Sequence, residues 1–241
     1  MMNQLDQLID AVADAYDKYS LLRAFRLLHD FCSVQVSTIY STAMKDRLYC
    51  DAADSPRRRR CQFVMFKLVD ALSRMLAPML VFTADEVWEQ IPSSPGEEKL
   101  PSVHLALLPK SRGHKPSSQA VKEWQTLMSI RELTTGQLDG LKKTKGLNKP
   151  LDAELIYHIA DDSFRHHLRA YGPDLEDLVG AGYHSFADHA LGAASVEVKD
   201  RREDFKACAR SWKRRPDVGQ DPQYPDLSVR DAAVVRGTVG G

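Results

Sequence analysis

The sequence predicts a mainly α-helical fold with a small α+β region in its C-terminal half. Three observations support this prediction: apolar residues at helical spacing through the first third, a long amphipathic segment from residue 119, and a short alternating segment from residue 151. A chain of 241 residues with 43% hydrophobic residues is long enough for one large core or two small ones.

The first third has the periodicity of a helical bundle. Apolar residues recur at three- and four-residue steps over 5–19 and again over 21–49, which places an apolar stripe on each helix. A third helix is predicted to start after Pro56 and to end or kink at Pro78. Thr83-Ala84-Asp85-Glu86 has the capping-box pattern, so a short helix is expected to begin there. Such helices typically pack as antiparallel neighbours.

The second half combines helices with short strands. A long amphipathic helix is predicted from residue 119 to about residue 143, and a strand over Leu151–Ile159. We also predict a helix around Phe164–Tyr171 and a strand over Ser195–Lys199. The tail from Lys206 shows no apolar periodicity and is predicted to be irregular.

The polar stretch Ser111–Ser118 marks the predicted domain boundary. We therefore expect a helical bundle over residues 1–110 and a long helix with a small α+β subdomain over residues 111–200. Residues 201–241 are expected to form a basic tail.

Composition argues against several classes of protein. With 33 basic and 33 acidic residues the formal net charge is zero, so no global field draws the chain to nucleic acid. The longest apolar run, Met75–Phe82, has eight residues, whereas a membrane-spanning helix needs about 20. The N-terminus lacks a signal-peptide pattern, and the four cysteines fall at no disulfide or metal-ligand spacing. We expect no membrane partner and a cytoplasmic protein with reduced thiols.

Catalytic motifs are missing from the sequence. It contains no glycine-rich phosphate loop, no Gly-x-Ser-x-Gly elbow and no His-Glu-x-x-His, and its eight histidines lie in no ligand or nucleophile pattern. We predict no catalytic residue in this chain.

Four consecutive arginines, Arg57–Arg60, open the predicted third helix. A cationic start is unfavourable for the helix dipole, and a phosphate backbone would compensate because guanidinium groups match phosphate oxygens in pairs. The alternative is a solvated charge run that Asp51 and Asp54 partly neutralise. Charge alone leaves both interpretations open.

A second basic cluster, Lys199–Arg215, holds eight Lys and Arg residues with Trp212 among them. A cationic segment with an aromatic ring that can stack on an unpaired base is typical of single-stranded RNA binding. Composition alone favours the alternative, a basic tail with Trp212 packed on the domain.

Several sequence blocks occur in a familiar order. They are Ala15-Tyr16-Asp17-Lys18-Tyr19, Lys45-Asp46-Arg47-Leu48-Tyr49, Leu76-Ala77-Pro78 and Thr83-Ala84-Asp85-Glu86-Val87-Trp88. The series resembles the anticodon-binding helical domain of class I aminoacyl-tRNA synthetases for branched aliphatic amino acids. The later block Asn148-Lys149-Pro150-Leu151-Asp152-Ala153 is most similar to the isoleucyl-tRNA synthetases. The resemblance runs from about Tyr16 to the C-terminus.

This resemblance implies an anticodon-binding bundle, a small α+β C-terminal subdomain and a tail like a degraded zinc ribbon. It implies a partner as well, an isoleucine-accepting tRNA, with phosphate contacts from the arginine run and from 142–149. In the family, the arginine and tryptophan matching Arg210 and Trp212 lie at the anticodon. The predicted tRNA-binding residues are Trp212, Arg210, Arg57, Arg58, Arg59, Lys45, Arg47, Lys213 and Arg214. An alternative for the Lys45–Tyr49 block is structural, with Asp46 paired to Arg47 and Tyr49 capping the bundle.

The chain departs from the family in two respects. The catalytic fold and its ATP-binding signatures, His-Ile-Gly-His and Lys-Met-Ser-Lys-Ser, are absent, so ATP and Mg would belong to a catalytic domain outside this chain. We expect no cofactor here and no isoleucyl-adenylate formation by the chain alone. Many bacterial relatives end in two Cys-x-x-Cys pairs that bind zinc. The matching positions here are Cys208, Ser211, Ser228 and Asp231, and since structural zinc takes four Cys or His ligands, zinc is not expected.

Two interpretations follow. The first is the C-terminal portion of an isoleucyl-tRNA synthetase, as a fragment, a subunit beside a separate catalytic subunit, a stand-alone relative, or the product of a misplaced start codon. The second is a non-catalytic protein-interaction or general RNA-binding module derived from a synthetase. The lost zinc ligands favour the second interpretation, and the intact Arg210-x-Trp212 favours the first.

Overall fold

The computed structural model describes residues 1–93, 96, 99–113, 115–188 and 194–239. Its described part is mainly α-helical with a small three-stranded sheet, which confirms the predicted fold class. The chain divides into two compact units. Unit 1 comprises Met1–Tyr40 and Arg59–Ser117, and unit 2 comprises Ser41–Arg58 and Ser118–Gly241.

The elements described in the first half of the chain are all helices. They are α1 (Met2–Asp17), α2 (Leu21–Asp30), a π-helix (Phe31–Tyr40), α3 (Ser41–Tyr49), α4 (Pro56–Leu76), α5 (Val81–Gln90) and a 3-10 turn (Val103–Leu105). Helix α4 ends two residues before Pro78, as expected for a residue that cannot donate a backbone hydrogen bond. The predicted helices of this half are therefore present, although α2 and α3 are joined through the π-helix.

Unit 1 is held together by an apolar core between α1, α2 and α4. Its fully buried members include Leu8, Val12, Leu28 and Met75. They recur at the spacing that the sequence shows, because one face of each helix must be removed from water. The Tyr16 hydroxyl donates to the carbonyl of Met75 over 2.6 Å at the edge of this core.

The predicted capping box at Thr83 is wrong. Helix α5 begins at Val81, and its N-cap is Leu80, which makes no side-chain capping hydrogen bond. The Asp85 carboxylate accepts hydrogen bonds from the Ser102 hydroxyl (2.7 Å) and the Val103 amide (3.0 Å) instead. This residue therefore fixes the 3-10 turn, and the helix starts earlier than the motif indicates.

Unit 2 is built on a long helix and a small sheet. Its further elements are α6 (Ser118–Lys145), a 3-10 turn (Pro150–Asp152), β1 (Ala153–His158), α7 (Asp162–Arg169), α8 (Asp174–Asp177), β2 (Tyr183–Phe186), β3 (Ser195–Asp200) and α9 (Val229–Val239). The sheet order is β2-β1-β3, with β1 parallel to β2 and antiparallel to β3. Leu155, Tyr157 and Val198 of the sheet share a buried core with Leu138 of α6.

Helix α8, strand β2 and helix α9 of unit 2 were not predicted from the sequence. Strand β2 is only four residues long and contains His184 and Ser185, so its alternation is weak. Directly before β2, the chain at Gly182 passes very close to the backbone of Leu151, and a Cβ at this position would lie 2.1 Å from the Leu151 carbonyl oxygen. Glycine therefore allows the close approach from which β2 pairs with β1.

The prediction of an irregular tail is also wrong, because α9 lies within it. Ala232 of this helix is buried with Cys208, Val218 and Leu227 in a small separate core. That apolar face is too short to give a visible period in the sequence. None of the helices in the described residues is long and apolar enough to cross a membrane.

Candidate nucleic-acid interface

The segment Cys208–Lys213 of unit 2 forms a tight turn. The Cys208 amide donates to the Lys213 carbonyl and the Trp212 amide to the Cys208 carbonyl, both over 2.9 Å. An antiparallel bridge between Ala207 and Arg214 closes the base of the turn. These backbone hydrogen bonds close the turn between Cys208 and Lys213.

Trp212 lies on this turn and is 70% exposed. Its neighbours Ser211 and Lys213 are both buried, so the indole extends into solvent between two inward-facing residues. Trp212 has a φ of +61°, in the left-handed region that large side chains rarely adopt. The ring therefore does not pack on the domain, contrary to the alternative that composition favoured.

Arg210 connects this turn to the end of α3. Its guanidinium donates to the Tyr49 carbonyl (3.4 Å) and to the Cys50 carbonyl, and it also contacts the Asp231 carboxylate at 3.4 Å. Arg210 is thus committed to backbone and carboxylate partners and positions the turn.

Tyr49 is 76% exposed and does not cap a core. It is a second exposed aromatic in unit 2 that the predicted site left out. Its signal in the sequence was its place as the last residue of the Lys45–Tyr49 block, directly before a helix end.

The ammonium of Lys213 is buried among three carboxylates. Its Nζ lies 3.0 Å from Glu176, 3.0 Å from Asp177 and 3.4 Å from Asp46, and the residue is 1% exposed. Burial alone would lower the pKa of Lys213, but the three negative charges outweigh burial and raise it. Lys213 is therefore a charged anchor of the fold, and the predicted tRNA contact of this residue is wrong because its ammonium is buried.

Three predicted arginines are also engaged within unit 2. Arg47 lies 3.0 Å from Asp174 and 3.1 Å from Asp177, while Arg57 lies 2.7 Å and 2.8 Å from the same two carboxylates. The cationic start of α4 is thus compensated by protein carboxylates. Arg214 donates to Asp152 over 2.6 Å and to the Phe205 carbonyl over 2.8 Å.

The suggested pairing of Asp46 with Arg47 is wrong. Asp46 accepts from Arg230 Nη2 over 3.0 Å and also from Nη1. Burial would raise the pKa of Asp46, but the hydrogen bond from Arg230 and the charges of Lys213 and Arg230 lower it to about 2. The carboxylate is therefore ionised at neutral pH and joins α3 to α9.

The remaining predicted cations differ in their surroundings. Arg58 is partly buried and donates to the Asp51 carbonyl over 3.2 Å. Lys45 of unit 2 and Arg59 of unit 1 are exposed, and no ion pair joins either to another described residue. Trp212, Lys45 and Arg59 are thus the predicted residues whose side chains are presented to solvent.

The positions that match zinc ligands in relatives converge in unit 2. The Cys208 thiol donates to Asp231 Oδ2 over 3.0 Å, the Ser228 hydroxyl donates to the same oxygen over 3.0 Å, and Ser211 is buried beside them. Structural zinc takes four Cys or His ligands, whereas these positions hold one cysteine, one aspartate and two serines, and serine hydroxyls are poor zinc ligands. Within the described ranges, no group of three or more His, Cys, Asp and Glu residues is arranged to hold a metal. The donor set does not fit zinc.

A further basic surface lies at the end of α6. Lys142, Lys143, Lys145 and Lys149 are exposed there, and Arg202 donates to the Lys145 and Gly146 carbonyls. Cations at a helix C-terminus also interact favourably with the helix dipole. This surface is therefore compatible with phosphate binding and equally with a structural role.

Comparison with known proteins identifies the family of this chain. Residues 1–157 match the family described as the anticodon-binding domain of tRNA ligase. The isoleucine–tRNA ligase of Agrobacterium fabrum is 35% identical over 244 residues, which covers 98% of this chain and 24% of that protein. The isoleucine–tRNA ligase of Geobacillus thermodenitrificans is 32% identical over 98% of this chain, and that of Petrotoga mobilis is 29% identical over 97%.

The chain spans about a quarter of the length of these curated relatives. Its family match begins in the helices of unit 1 and extends into strand β1 of unit 2. That match covers well over half of the chain. The chain therefore belongs to the family of anticodon-binding domains of tRNA ligases.

Proposed function

We propose that this chain binds the anticodon arm of an isoleucine-accepting tRNA. The observation that carries the proposal is the exposed indole of Trp212, held on a fixed turn in a chain of the anticodon-binding family. The anticodon loop offers unpaired bases, and an exposed aromatic ring can stack on such a base. Tyr49 adds a second exposed ring, and its own backbone carbonyl accepts a hydrogen bond from Arg210.

Phosphate contacts would come from the exposed cations. Lys45 and Arg59 are free of ion pairs with the described residues, whereas Lys213, Arg47, Arg57 and Arg214 are neutralised by carboxylates. Each phosphate contact to a single strand contributes about 0.7 to the slope of log affinity against log salt. Lys45 of unit 2 would therefore contribute about 0.7 to the magnitude of that slope, as would each exposed lysine of 142–149 that contacts a phosphate.

We propose that this binding supports tRNA aminoacylation, the reaction for which the relatives are named. The chemistry would lie in a catalytic region with ATP and Mg, including one supplied by a separate catalytic subunit, and this chain would be inactive alone. Zinc has no place in the proposal because the donor set around Cys208 does not fit it. The proposed location is the cytoplasm, where tRNA is charged.

The proposal is tested by titrating an isoleucine tRNA and an unrelated tRNA against wild type, Trp212→Ala and Trp124→Ala at two salt concentrations. Trp124 is a matched control because it is a partly exposed tryptophan on α6. We expect Trp212→Ala to weaken binding by on the order of 1–3 kcal/mol without changing the salt slope. Trp124→Ala should leave the affinity within about twofold. Equal affinity of wild type and Trp212→Ala for both tRNAs, with unchanged stability, would overturn the proposal.

A second candidate function, a protein-interaction module, is favoured by a different observation. Leu21, Leu22 and Phe25 of α2 are each more than half exposed, beside the exposed Tyr19. Contiguous exposed apolar residues mark interaction surfaces in monomeric proteins. If both tRNAs bind wild type and Trp212→Ala equally weakly, this candidate replaces the first.

A further inference from the structure

Trp212 is held in a backbone conformation that costs free energy. A φ of +61° brings Cβ of a large residue close to its own backbone, which disfavours this conformation for residues other than glycine. Such strain persists only where the surrounding structure determines the conformation. Contacts at both ends of the Cys208–Lys213 turn must therefore oppose the relaxation of Trp212.

The C-terminal end of the turn is held by Lys213. Its buried ammonium among Glu176, Asp177 and Asp46 directs this side chain inward. Because consecutive side chains leave the backbone in different directions, an inward Lys213 keeps Trp212 outward. This contact fixes one end of the turn only.

The N-terminal end of the turn is held by Asp231. Its Oδ2 accepts the Cys208 thiol and the Ser228 hydroxyl, each over 3.0 Å, and the Ser228 amide donates to the Cys208 sulfur over 3.4 Å. Cys208, Ser228 and Asp231 are fully buried. The second Asp231 oxygen accepts from Arg230 Nη2 over 2.9 Å, so the carboxylate is satisfied on both sides.

We propose that Asp231 is a positioning residue for Trp212. Its carboxylate closes the turn through hydrogen bonds from Cys208 and Ser228. In Asp231→Asn an amide nitrogen faces either the Cys208 and Ser228 donors or the guanidinium groups of Arg210 and Arg230, so the carboxylate no longer accepts on both sides. The Cys208 end of the turn then loosens, and the backbone at Trp212 relaxes towards negative φ. The consequence for RNA affinity rests on the function proposed above, while the consequence for the indole does not.

The first test measures the indole without RNA. The chain has three indole N–H groups, those of Trp88, Trp124 and Trp212, and the 15N heteronuclear NOE of each reports its motion on the ps–ns timescale. In Asp231→Asn, we expect the Trp212 value to fall while the Trp124 value is unchanged. Asp226→Asn is the matched control, since Asp226 is an exposed carboxylate of the same tail. A folded Asp231→Asn protein with an unchanged Trp212 value overturns the proposal.

The second test couples the two residues through RNA binding. Affinity for the isoleucine tRNA is measured for wild type, Asp231→Asn, Trp212→Ala and the double variant. A positioning role predicts a loss of about 5–10-fold from Asp231→Asn when Trp212 is present, and under about twofold in the Trp212→Ala background. Equal losses in both backgrounds show that Asp231 acts on stability alone and overturn the proposal. If Trp212→Ala itself has no effect, the proposed function fails while the NOE result still decides the role of Asp231.

A third test, on a triple variant, covers the case in which Asp231→Asn does not fold. Ser211→Cys, Ser228→Cys and Asp231→Cys together place four thiols where the present cluster converges with Cys208. This triple variant should bind about one zinc per chain. With zinc bound, the Trp212 NOE should match wild type, and a chelator should lower it. Failure to bind zinc, or a mobile indole with zinc bound, contradicts the convergence on which the proposal depends.

Discussion

Unit 1 and unit 2 differ in the kinds of side chain that they bury. Unit 1 has an apolar helical core, represented by Leu28 and Met75. Unit 2 also has an apolar core around its sheet, but it buries in addition a set of charged residues. These are Glu176, Asp177, Lys213 and Asp231, each at most 2% exposed.

This difference determines what each unit is sensitive to. Apolar burial is roughly proportional to area and has little directionality, so unit 1 should respond to lost volume. Buried charges are costly without a partner, so unit 2 should respond to the loss of a single charge. The predictions below separate these two sensitivities.

The largest expected effect is on unit 2 when Lys213 is replaced by Met. Methionine keeps most of the length of the lysine side chain but leaves Glu176 and Asp177 without their shared cation. We expect a loss of about 3–5 kcal/mol in the free energy of unfolding of unit 2. Urea unfolding measures this loss, and hydrogen exchange of the β1 amides assigns it to unit 2. Lys199→Met, an exposed change on β3, should cost under about 0.5 kcal/mol. Equal losses from both substitutions would mean that the buried network contributes nothing.

The corresponding change in unit 1 is Leu28→Ala. Leu28 is 1% exposed, and its loss should cost about 2–5 kcal/mol through lost burial and an unfilled cavity. Leu22→Ala on the same helix is the control, because Leu22 is 62% exposed and should cost under about 0.5 kcal/mol. Hydrogen exchange of the α1 amides reports the result. Similar losses at the two positions would show that this core is not the source of stability in unit 1.

Acid should act on unit 2 through Asp46. Its pKa is lowered from 3.8 to about 2 in the folded chain by Arg230 and Lys213, so its contribution is fully present above pH 3.8 and is lost as pH falls through about 2. The shift corresponds to on the order of 2 kcal/mol. Glu176, with a lowered pKa, adds to this trend, while Asp177, with a pKa raised chiefly by burial, opposes it.

Unfolding free energies at about pH 5 and about pH 2.5 measure this contribution, most of which should be lost at the lower pH. Asp46→Asn should reduce the difference between the two pH values by on the order of 1–2 kcal/mol. The control Asp54→Asn changes an exposed carboxylate of the same unit and should leave the difference between the two pH values unchanged. An Asp46→Asn protein with the full pH dependence of wild type would assign that dependence to other groups.

The smallest expected effect concerns the strain at Trp212. Glycine adopts positive φ readily, so Trp212→Gly should raise the free energy of unfolding by up to about 1 kcal/mol, whereas Trp212→Ala should change it little. Calorimetry of the two variants measures this difference. A Trp212→Gly protein that is less stable than Trp212→Ala would show that the turn is not strained.

Much of the fold could be predicted from the sequence because apolar periodicity is local. Helix α1, helix α6 and strand β3 agree with the predicted segments to within a few residues. Strand β2 and helix α9 were missed because their apolar faces are too short to show a period. The domain boundary near residue 110 stays a prediction.

The candidate site was less predictable because the partner of a charge cannot be read from its neighbours. Asp46 and Arg230 are 184 positions apart, and Arg57 and Asp174 are 117 apart, yet each pair is in contact. Arg57 was predicted to contact tRNA, whereas the fold pairs it with Asp174, and the sequence analysis did not identify Arg230 as the partner of Asp46. The exposed indole of Trp212 was identified through the family motif, and its tRNA-binding role stays a prediction.

The central claim, that this chain recognises the anticodon arm, is tested most directly by dividing the tRNA. The anticodon stem-loop and the acceptor minihelix of the same isoleucine tRNA are titrated separately against the full chain. The proposed stacking on Trp212 predicts that the stem-loop binds within about threefold of the whole tRNA and that the minihelix binds at least about tenfold more weakly. Equal affinity for the two halves, or preference for the minihelix, would contradict the account.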